Sequence, residues 1–329
     1  MKKFINTVDS LIRESLDGLV AAHGDILTLG AEHKFVRRKT LRPGKVALIS
    51  GGGSGHEPLH AGFVGYGMLD AACPGQVFTS PTPDQMAAAA EATDTGAGVL
   101  YIVKNYEGDV MNFEMAAELA IGQVARVIID DDVAVETSTY STGRRGVAGT
   151  LVVEKVVGAA AEQGRDLAAC RALGERVNQA TRSLGVALTS CTVPAAGKPT
   201  FTLGESEMEF GVGIHGEPGR RRVPMMAARP LAEEMAGAIV KDLGARVNGN
   251  GLLLVNGFGG TPAIELYLMY ENLRSVLERH GVKIVRSLVG NYVTSLEMAG
   301  CSATLSLLDD EVAKLWDAPV HAAALRWGM

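Results

Sequence analysis

Three short aliphatic runs do most to limit what this chain can fold into. Residues 45–50 (Lys-Val-Ala-Leu-Ile-Ser), 98–103 (Gly-Val-Leu-Tyr-Ile-Val) and 126–129 (Arg-Val-Ile-Ile) are continuously apolar inside rather than alternating. Each stops abruptly, at Gly51-Gly52-Gly53, at Lys104-Asn105-Tyr106 and at Asp130-Asp131-Asp132. A strand that is apolar on both faces must be covered on both, and helical segments over 84–92 and 112–120 stand between the runs to do so. The pattern predicts an α/β fold whose first domain is a largely parallel sheet with helices on both faces and polar groups gathered at the carboxyl ends of its strands. Helices over 147–163 and 166–180 follow. The second half, with segments 185–188 and 210–215, helices around 231–243 and 261–280, and strands over 252–255, 282–289 and 302–308, reads as α/β or α+β. A boundary near residue 182 gives domains 1–182 and 183–329, and the lack of a Ser/Gly-rich linker or repeat predicts that they pack tightly.

Composition excludes several classes. With 329 residues, 47% hydrophobic and 21% charged, the chain can fill more than one core. The net charge of -6 disfavours nonspecific adhesion to nucleic acid or anionic membrane. Cys73, Cys170, Cys191 and Cys301 form no C-x-x-C pair, so neither a zinc site nor a disulfide framework is expected, and a reducing compartment, the cytoplasm, fits. Asp9, Arg13, Glu14 and Asp17 interrupt any signal-peptide core, leaving an amphipathic first helix, and the uncharged stretch 247–264 is broken by asparagines and glycines.

Three segments can carry chemistry. Gly51-Gly-Gly-Ser-Gly-His-Glu-Pro58 follows a strand and is expected to precede a helix, but it lacks the lysine of a Walker loop, and His56 stands where a dinucleotide fingerprint needs its third glycine. What remains is backbone that a small ligand can approach, with N–H groups of Gly52 and Gly53 and an imidazole from His56. Lys104-Asn-Tyr-Glu-Gly-Asp109 sets an ammonium and a carboxylate just past a strand. Asp109 can accept a proton from a substrate hydroxyl while Lys104 holds a neighbouring oxygen, and a strand-end ion pair is the simpler account. In Gly211-Val-Gly-Ile-His-Gly-Glu-Pro218, His215 is flanked by glycines and followed by Glu217, an arrangement open to base, metal-ligand or nucleophile roles. The aspartates 130–132 suit capping or solvent better than a metal, and Arg144-Arg145 and Arg220-Arg221-Arg222 read as solvated faces.

Taken together, Ser50-Gly-Gly-Gly-Ser-Gly-His-Glu-Pro58, Gly75-Gln-Val-Phe-Thr-Ser-Pro-Thr-Pro83, Lys104-Asn-Tyr-Glu-Gly-Asp109, Asp130-Asp-Asp-Val-Ala-Val135, Cys191-Thr-Val-Pro-Ala-Ala-Gly-Lys-Pro199, Glu209-Phe-Gly-Val-Gly-Ile-His-Gly-Glu-Pro218 and Trp316-Asp-Ala-Pro319 closely resemble, in this order, the substrate-binding K subunits of the dihydroxyacetone kinase family. The resemblance runs nearly end to end. It implies that the Nε2 atom of His215 holds dihydroxyacetone as a covalent hemiaminal, which selects ketones and aldehydes over glycerol. It also implies that Gly53, Ser54, Gly55, His56, Lys104, Asp109 and His215 bind the substrate, and that His56 and Asp109 transfer protons.

Further expectations follow from the resemblance. The active site lies between two α/β domains, and the protein is a homodimer that binds no metal or nucleotide itself. Phosphoryl transfer to dihydroxyacetone is served by an all-helical L subunit carrying ADP or ATP with Mg²⁺. A chain ending at Met329 has no room for such a domain, so a stand-alone bacterial subunit is expected. Recharging of L-bound ADP from phosphoenolpyruvate through a phosphotransferase M subunit is favoured over direct use of ATP. Two variants of the family reading are a dihydroxyacetone-binding coactivator of transcription and a kinase for a longer ketose such as erythrulose.

Overall fold

The computed structural model describes residues 2–134, 141, 143–217 and 219–329. Val135 and Pro218, which end two of the motifs above, lie outside the described residues. In chain order the first half contains α1 (Leu11–Ala22), β1 (Leu27–Leu29), β2 (Val36–Arg38), β3 (Ala47–Ser54), β4 (Gly65–Tyr66), β5 (Ala71–Val77), α2 (Pro83–Thr93), β6 (Val99–Lys104), α3 (Glu107–Leu119), β7 (Val124–Ile129), α4 (Gly149–Glu162) and α5 (Leu167–Gln179). The second half contains β8 (Thr181–Ala187), β9 (Glu207–Phe210), β10 (Arg221–Pro224), α6 (Ala228–Leu243), β11 (Gly249–Gly257), α7 (Ala263–Arg279), β12 (Val282–Gly290) and β13 (Gly300–Leu308). The chain ends with α8 (Asp310–Asp317), β14 (Val320–Ala322) and β15 (Arg326–Trp327).

The first sheet has the order β1-β2-β5-β3-β6-β7. The strands β5, β3, β6 and β7 run parallel, and only β1 and β2 are antiparallel additions at one edge. The expected parallel sheet is therefore present, and it is mixed at one edge. Strand β3 lies between β5 and β6, which reach it from opposite sides, so its carboxyl end is the crevice where α/β sheets bind ligands. The second sheet, β10-β9-β8-β13-β11-β12, is antiparallel except for the parallel pair β11 and β12.

Helix starts follow local chemistry. Thr82 and Gln85 form a capping box on α2 with Pro83 at its first position, and the Asp166 and Asp309 carboxylates accept from the N–H groups of Ala169 and Val312, each at 2.8 Å. Every residue of α4 is buried, and it packs on α5, α8 and strands of both sheets. Around it a cluster including Leu100, Ile102, Leu151, Val156, Val212, Leu254 and Trp316 joins the two halves. After β13 the chain leaves the second sheet: α8 packs on α4, and β14 pairs with β4 through His321↔Tyr66.

Three local expectations need correction. The glycines at 51–53 are not a loop, because β3 continues through them to Ser54. No α-helix follows Pro58, where the chain makes only a short 3-10 turn over Ala61–Phe63, so the strand-loop-helix geometry of a phosphate cradle is missing. Arg145 is not solvated but fully buried. The four cysteines are free and buried, and among the described residues no helix is long and apolar enough to cross a membrane.

Candidate active site

Beyond Ser50↔Ile102, β3 loses β6 as a neighbour while keeping β5, so Gly51 to Ser54 overhang with one edge uncovered. The glycines admit close neighbours. A Cβ on Gly52 would strike the Nζ atom of Lys104, and one on Gly53 would strike the backbone of Phe78 and Thr79. On the other side of the overhang, β6 ends at Lys104 and α3 begins at Glu107, which puts Asp109 on the first helical turn rather than in a loop. These pieces line a cleft of about 570 Å³ bounded by Gly53, Phe78, Ser80, Tyr106, Asp109 and His215.

His215 reaches this cleft from the second half, where its loop follows β9. The ring lies edge-on to Tyr106, His56 and Phe78, with centroids 4.5, 4.8 and 5.3 Å away. Its Nδ1–H donates to Glu217 Oε1 at 3.1 Å, and its backbone N–H donates to Glu217 Oε2 at 2.8 Å, so in the neutral ring the lone pair sits on Nε2. Burial pushes the Glu217 carboxyl up, but the charge and hydrogen bond of His215 and the charge of Arg145 outweigh it and hold the group below its ordinary value. Arg145 donates from Nε to Asp132 at 2.7 Å and from a terminal nitrogen to the Gly211 carbonyl at 2.7 Å, tying the His215 loop to the first half.

The His56 ring stacks on Phe78 at 5.1 Å and 16°, and its Nδ1–H donates to the Thr294 carbonyl at 2.8 Å. Burial, reinforced by the charges of His215 and Lys104, holds His56 well below the ordinary histidine value, so it is neutral with a free Nε2. Phe78 adopts φ 56°, a left-handed conformation costly for a bulky residue, and this strain places its ring against both histidines. Lys104 is fully buried; its Nζ donates to the Gly51 carbonyl at 3.0 Å and lies 3.5 Å from Asp109 Oδ2. Among the described residues, three buried polar atoms here have no hydrogen-bond partner: His56 Nε2, Asp109 Oδ1 and the Tyr106 hydroxyl. Unpaired buried polar atoms are costly; Asp109 and Tyr106 line the cleft and His56 abuts the lining residue His215, which marks a place built for a polar ligand.

The residues singled out in the sequence do not all meet the cleft. Gly53, Asp109 and His215 line it, and His56 touches His215. Lys104 stands behind Gly52. The Ser54 hydroxyl donates to the Gly75 carbonyl at 2.7 Å, and the Gly55 N–H donates to the Glu57 carboxylate at 2.9 Å, so both shape the loop. Sequence reasoning missed Phe78, Tyr106, Arg145 and Asp132. The aspartates 130–132 are each engaged: Asp130 with Asn178, Asp131 with the backbone at the start of α4, and Asp132 with Arg145.

A parallel sheet with an overhanging glycine strand, faced by an imidazole from a second α/β half, defines a two-domain small-molecule-binding protein with its cleft at the domain junction. Residues 17–324 match the Dak1 domain, and the chain belongs to that family. It is 51% identical over 314 residues to the PTS-dependent dihydroxyacetone kinase 1, dihydroxyacetone-binding subunit DhaK, of Listeria innocua, covering 94% of this chain and 95% of that protein. A 360-residue alignment with the PEP-dependent dihydroxyacetone kinase, dihydroxyacetone-binding subunit DhaK, of Escherichia coli spans all of both at 48% identity. The crystal structure of the dihydroxyacetone kinase of C. freundii superposes with a TM-score of 0.89 at 33% identity, over 99% of this chain and 60% of that one.

Proposed function

We propose that this chain is the dihydroxyacetone-binding subunit of a dihydroxyacetone kinase. It acts as a homodimer in the cytoplasm and presents the ketone to a phosphoryl donor carried, with Mg²⁺, on a separate L subunit. Phosphoenolpyruvate, passed through an M subunit, is the favoured source, in keeping with the names of the relatives above. The observation that carries the reading is the His215 ring lining one cleft with Asp109 and lying 4.8 Å from the His56 ring, where Asp109 Oδ1 and His56 Nε2 are unpaired.

The chemistry follows from these atoms. The Nε2 lone pair of His215 forms a bond to the carbonyl carbon and the π pair moves to the oxygen, which takes up a proton from solvent; the Nδ1 proton of the ring passes to Glu217, so the proton gained at oxygen is balanced by the one the imidazole gives up and the hemiaminal is neutral. Glycerol has no carbon open to this attack. With the central carbon fixed, a terminal hydroxyl lies toward Asp109 and His56, which accept its proton as the oxygen attacks phosphorus; Lys104 steadies Asp109 from behind.

Carbon-13 NMR of the protein with dihydroxyacetone labelled at its central carbon tests this directly. The expected result is replacement of the ketone signal by a bound tetrahedral carbon, lost in His215→Ala and never seen with glycerol. A tetrahedral signal that persists in His215→Ala, or turnover of glycerol equal to that of dihydroxyacetone, would end the reading.

A further inference from the structure

Behind the cleft, Lys104 leads into ionisable groups that the chemistry above leaves unused. Besides its bond to Gly51, Lys104 Nζ donates to His60 Nε2 at 2.8 Å, and His60 Nδ1–H donates to Glu154 Oε1 at 2.6 Å. Lys104 ends β6, His60 follows the β3 overhang, and Glu154 sits inside α4, so three separate elements build one chain of hydrogen bonds. Lys104 and Glu154 are fully buried and His60 nearly so. Glu154 Oε2 makes no hydrogen bond, since the Ser50 hydroxyl beside it is turned to the Ile102 carbonyl at 2.7 Å.

A carboxylate with an unpaired oxygen inside a fully buried helix is a poor way to add stability. Its place becomes intelligible from the other end of the chain. One ammonium serves two carboxylates: Asp109 directly at 3.5 Å, and Glu154 through the neutral imidazole of His60. Whatever share of the ammonium charge Glu154 offsets is withdrawn from Asp109.

We propose that His60 and Glu154 are positioning residues that set how strongly Lys104 holds Asp109, and thereby how well Asp109 accepts the proton of the substrate hydroxyl. The inference rests on the proton-accepting role given to Asp109 above. The charged or titratable groups facing Glu154 are Lys104 and His60. Burial holds His60 well below its ordinary value, which keeps it the neutral link. Burial also pushes Glu154 up to about 8, so its charge changes within the working range of a cellular enzyme. With Glu154 protonated, Lys104 bears wholly on Asp109; with Glu154 ionised, Asp109 is freed to act.

The test compares wild type, Glu154→Gln and His60→Met, each reconstituted with the nucleotide-carrying subunit and its phosphoryl source. Glutamine at 154 keeps an acceptor for His60 but cannot ionise; methionine at 60 keeps a weak sulfur acceptor near Lys104 but has no donor for Glu154, which breaks the link. Wild-type kcat is expected to rise as pH increases through about 8. Both variants should lose that rise, with kcat at high pH down about three- to tenfold, while KM for dihydroxyacetone and the carbon-13 adduct signal stay within about twofold. Profiles that overlay wild type at every pH would overturn the inference, as would loss of adduct and kcat in equal proportion. If Glu154→Gln does not fold, His60→Met decides by the same criteria. A wild-type protein that forms no adduct and turns over no ketone would remove the proposed function and this inference with it, whereas a working wild type with unchanged variants removes the inference alone.

Discussion

At the scale of single residues, the site works by keeping lone pairs free. The Nδ1 atoms of His56 and His215 are both committed to oxygen acceptors, which leaves both Nε2 atoms for the ligand. Asp109 is similarly divided, with Oδ2 toward Lys104 and Oδ1 unpaired. Replacing Asp109 with Asn should therefore leave the adduct on His215 largely intact while lowering phosphoryl transfer by about 10²- to 10⁴-fold, the effect of losing a general base. Single-turnover kinetics beside the carbon-13 signal would separate the two, and wild-type transfer would reduce Asp109 to a strand-end ion pair. The sequence displays His56, Asp109, His215 and Glu217 because each is a functional type beside glycine, and Lys104 because it is a charge at the end of an apolar run. It hides Phe78 and Tyr106, whose aromatic side chains look like ordinary core, and Arg145, whose partners Asp132 and Gly211 meet it only through the tertiary fold. Glu154 is hidden for the same reason, since its helical spacing does not reveal that both sides of α4 are covered.

Among the elements, the β3 overhang matters most. Its glycines read as the end of a strand because glycine has low strand propensity, yet β5 pairs with them through Gly51↔Cys73 and Gly53↔Gly75. That β5 itself escaped the sequence reading has the same cause, since Ala-Ala-Cys-Pro-Gly-Gln-Val has a single branched residue, Val77 at its end, to announce a strand. Most helices were legible to within a few residues, but α8 was not read from the sequence, and α3 starts at Glu107 rather than near 112 and so carries Asp109 into the cleft. The overhang makes a sharp prediction for Gly52→Ala. The added methyl would displace the Lys104 ammonium, so ketone binding should weaken at least tenfold, with a stability loss of about 1–3 kcal/mol from overpacking. Calorimetric titration with dihydroxyacetone and thermal unfolding check the two effects, and unchanged binding would show that Lys104 can move without consequence.

For the whole molecule, buried ionisable groups couple folding to pH. Native Glu154 keeps its proton up to about 8, whereas the unfolded chain releases it near the ordinary value of 4.5. Its contribution to stability is therefore full below 4.5 and is lost as pH rises to about 8, with a slope of about 1.4 kcal/mol per pH unit. His56 and His60 act in the opposite sense. The unfolded chain takes up protons below about 6.5 that these buried rings resist, so they remove stability as pH falls. Between pH 6.5 and 8, wild type should thus lose about 2 kcal/mol relative to Glu154→Gln, whose side chain does not titrate. Denaturant unfolding of the two proteins at both pH values measures the difference, and parallel slopes would mean that Glu154 is already ionised in the native state.

The return of the last twenty-odd residues to the first half, where β14 pairs with β4, has a consequence for how the molecule can be divided. A cluster running from Leu184 to Leu305 is built on the second sheet with α6 and α7, while Val312, Leu315, Trp316 and Val320 belong to the core around α4. In the language of gene architecture, the second sheet is a cassette spliced into the first domain, entered once and left once. Two covalent crossings, rather than a single tether, join the pieces that carry His56 and His215. A cut near residue 182 would strip the first piece of the strand that pairs with β4 and of the helix that covers α4, and it would expose Leu252, Leu254 and Phe258 of the second sheet, which pack in the core shared with α4.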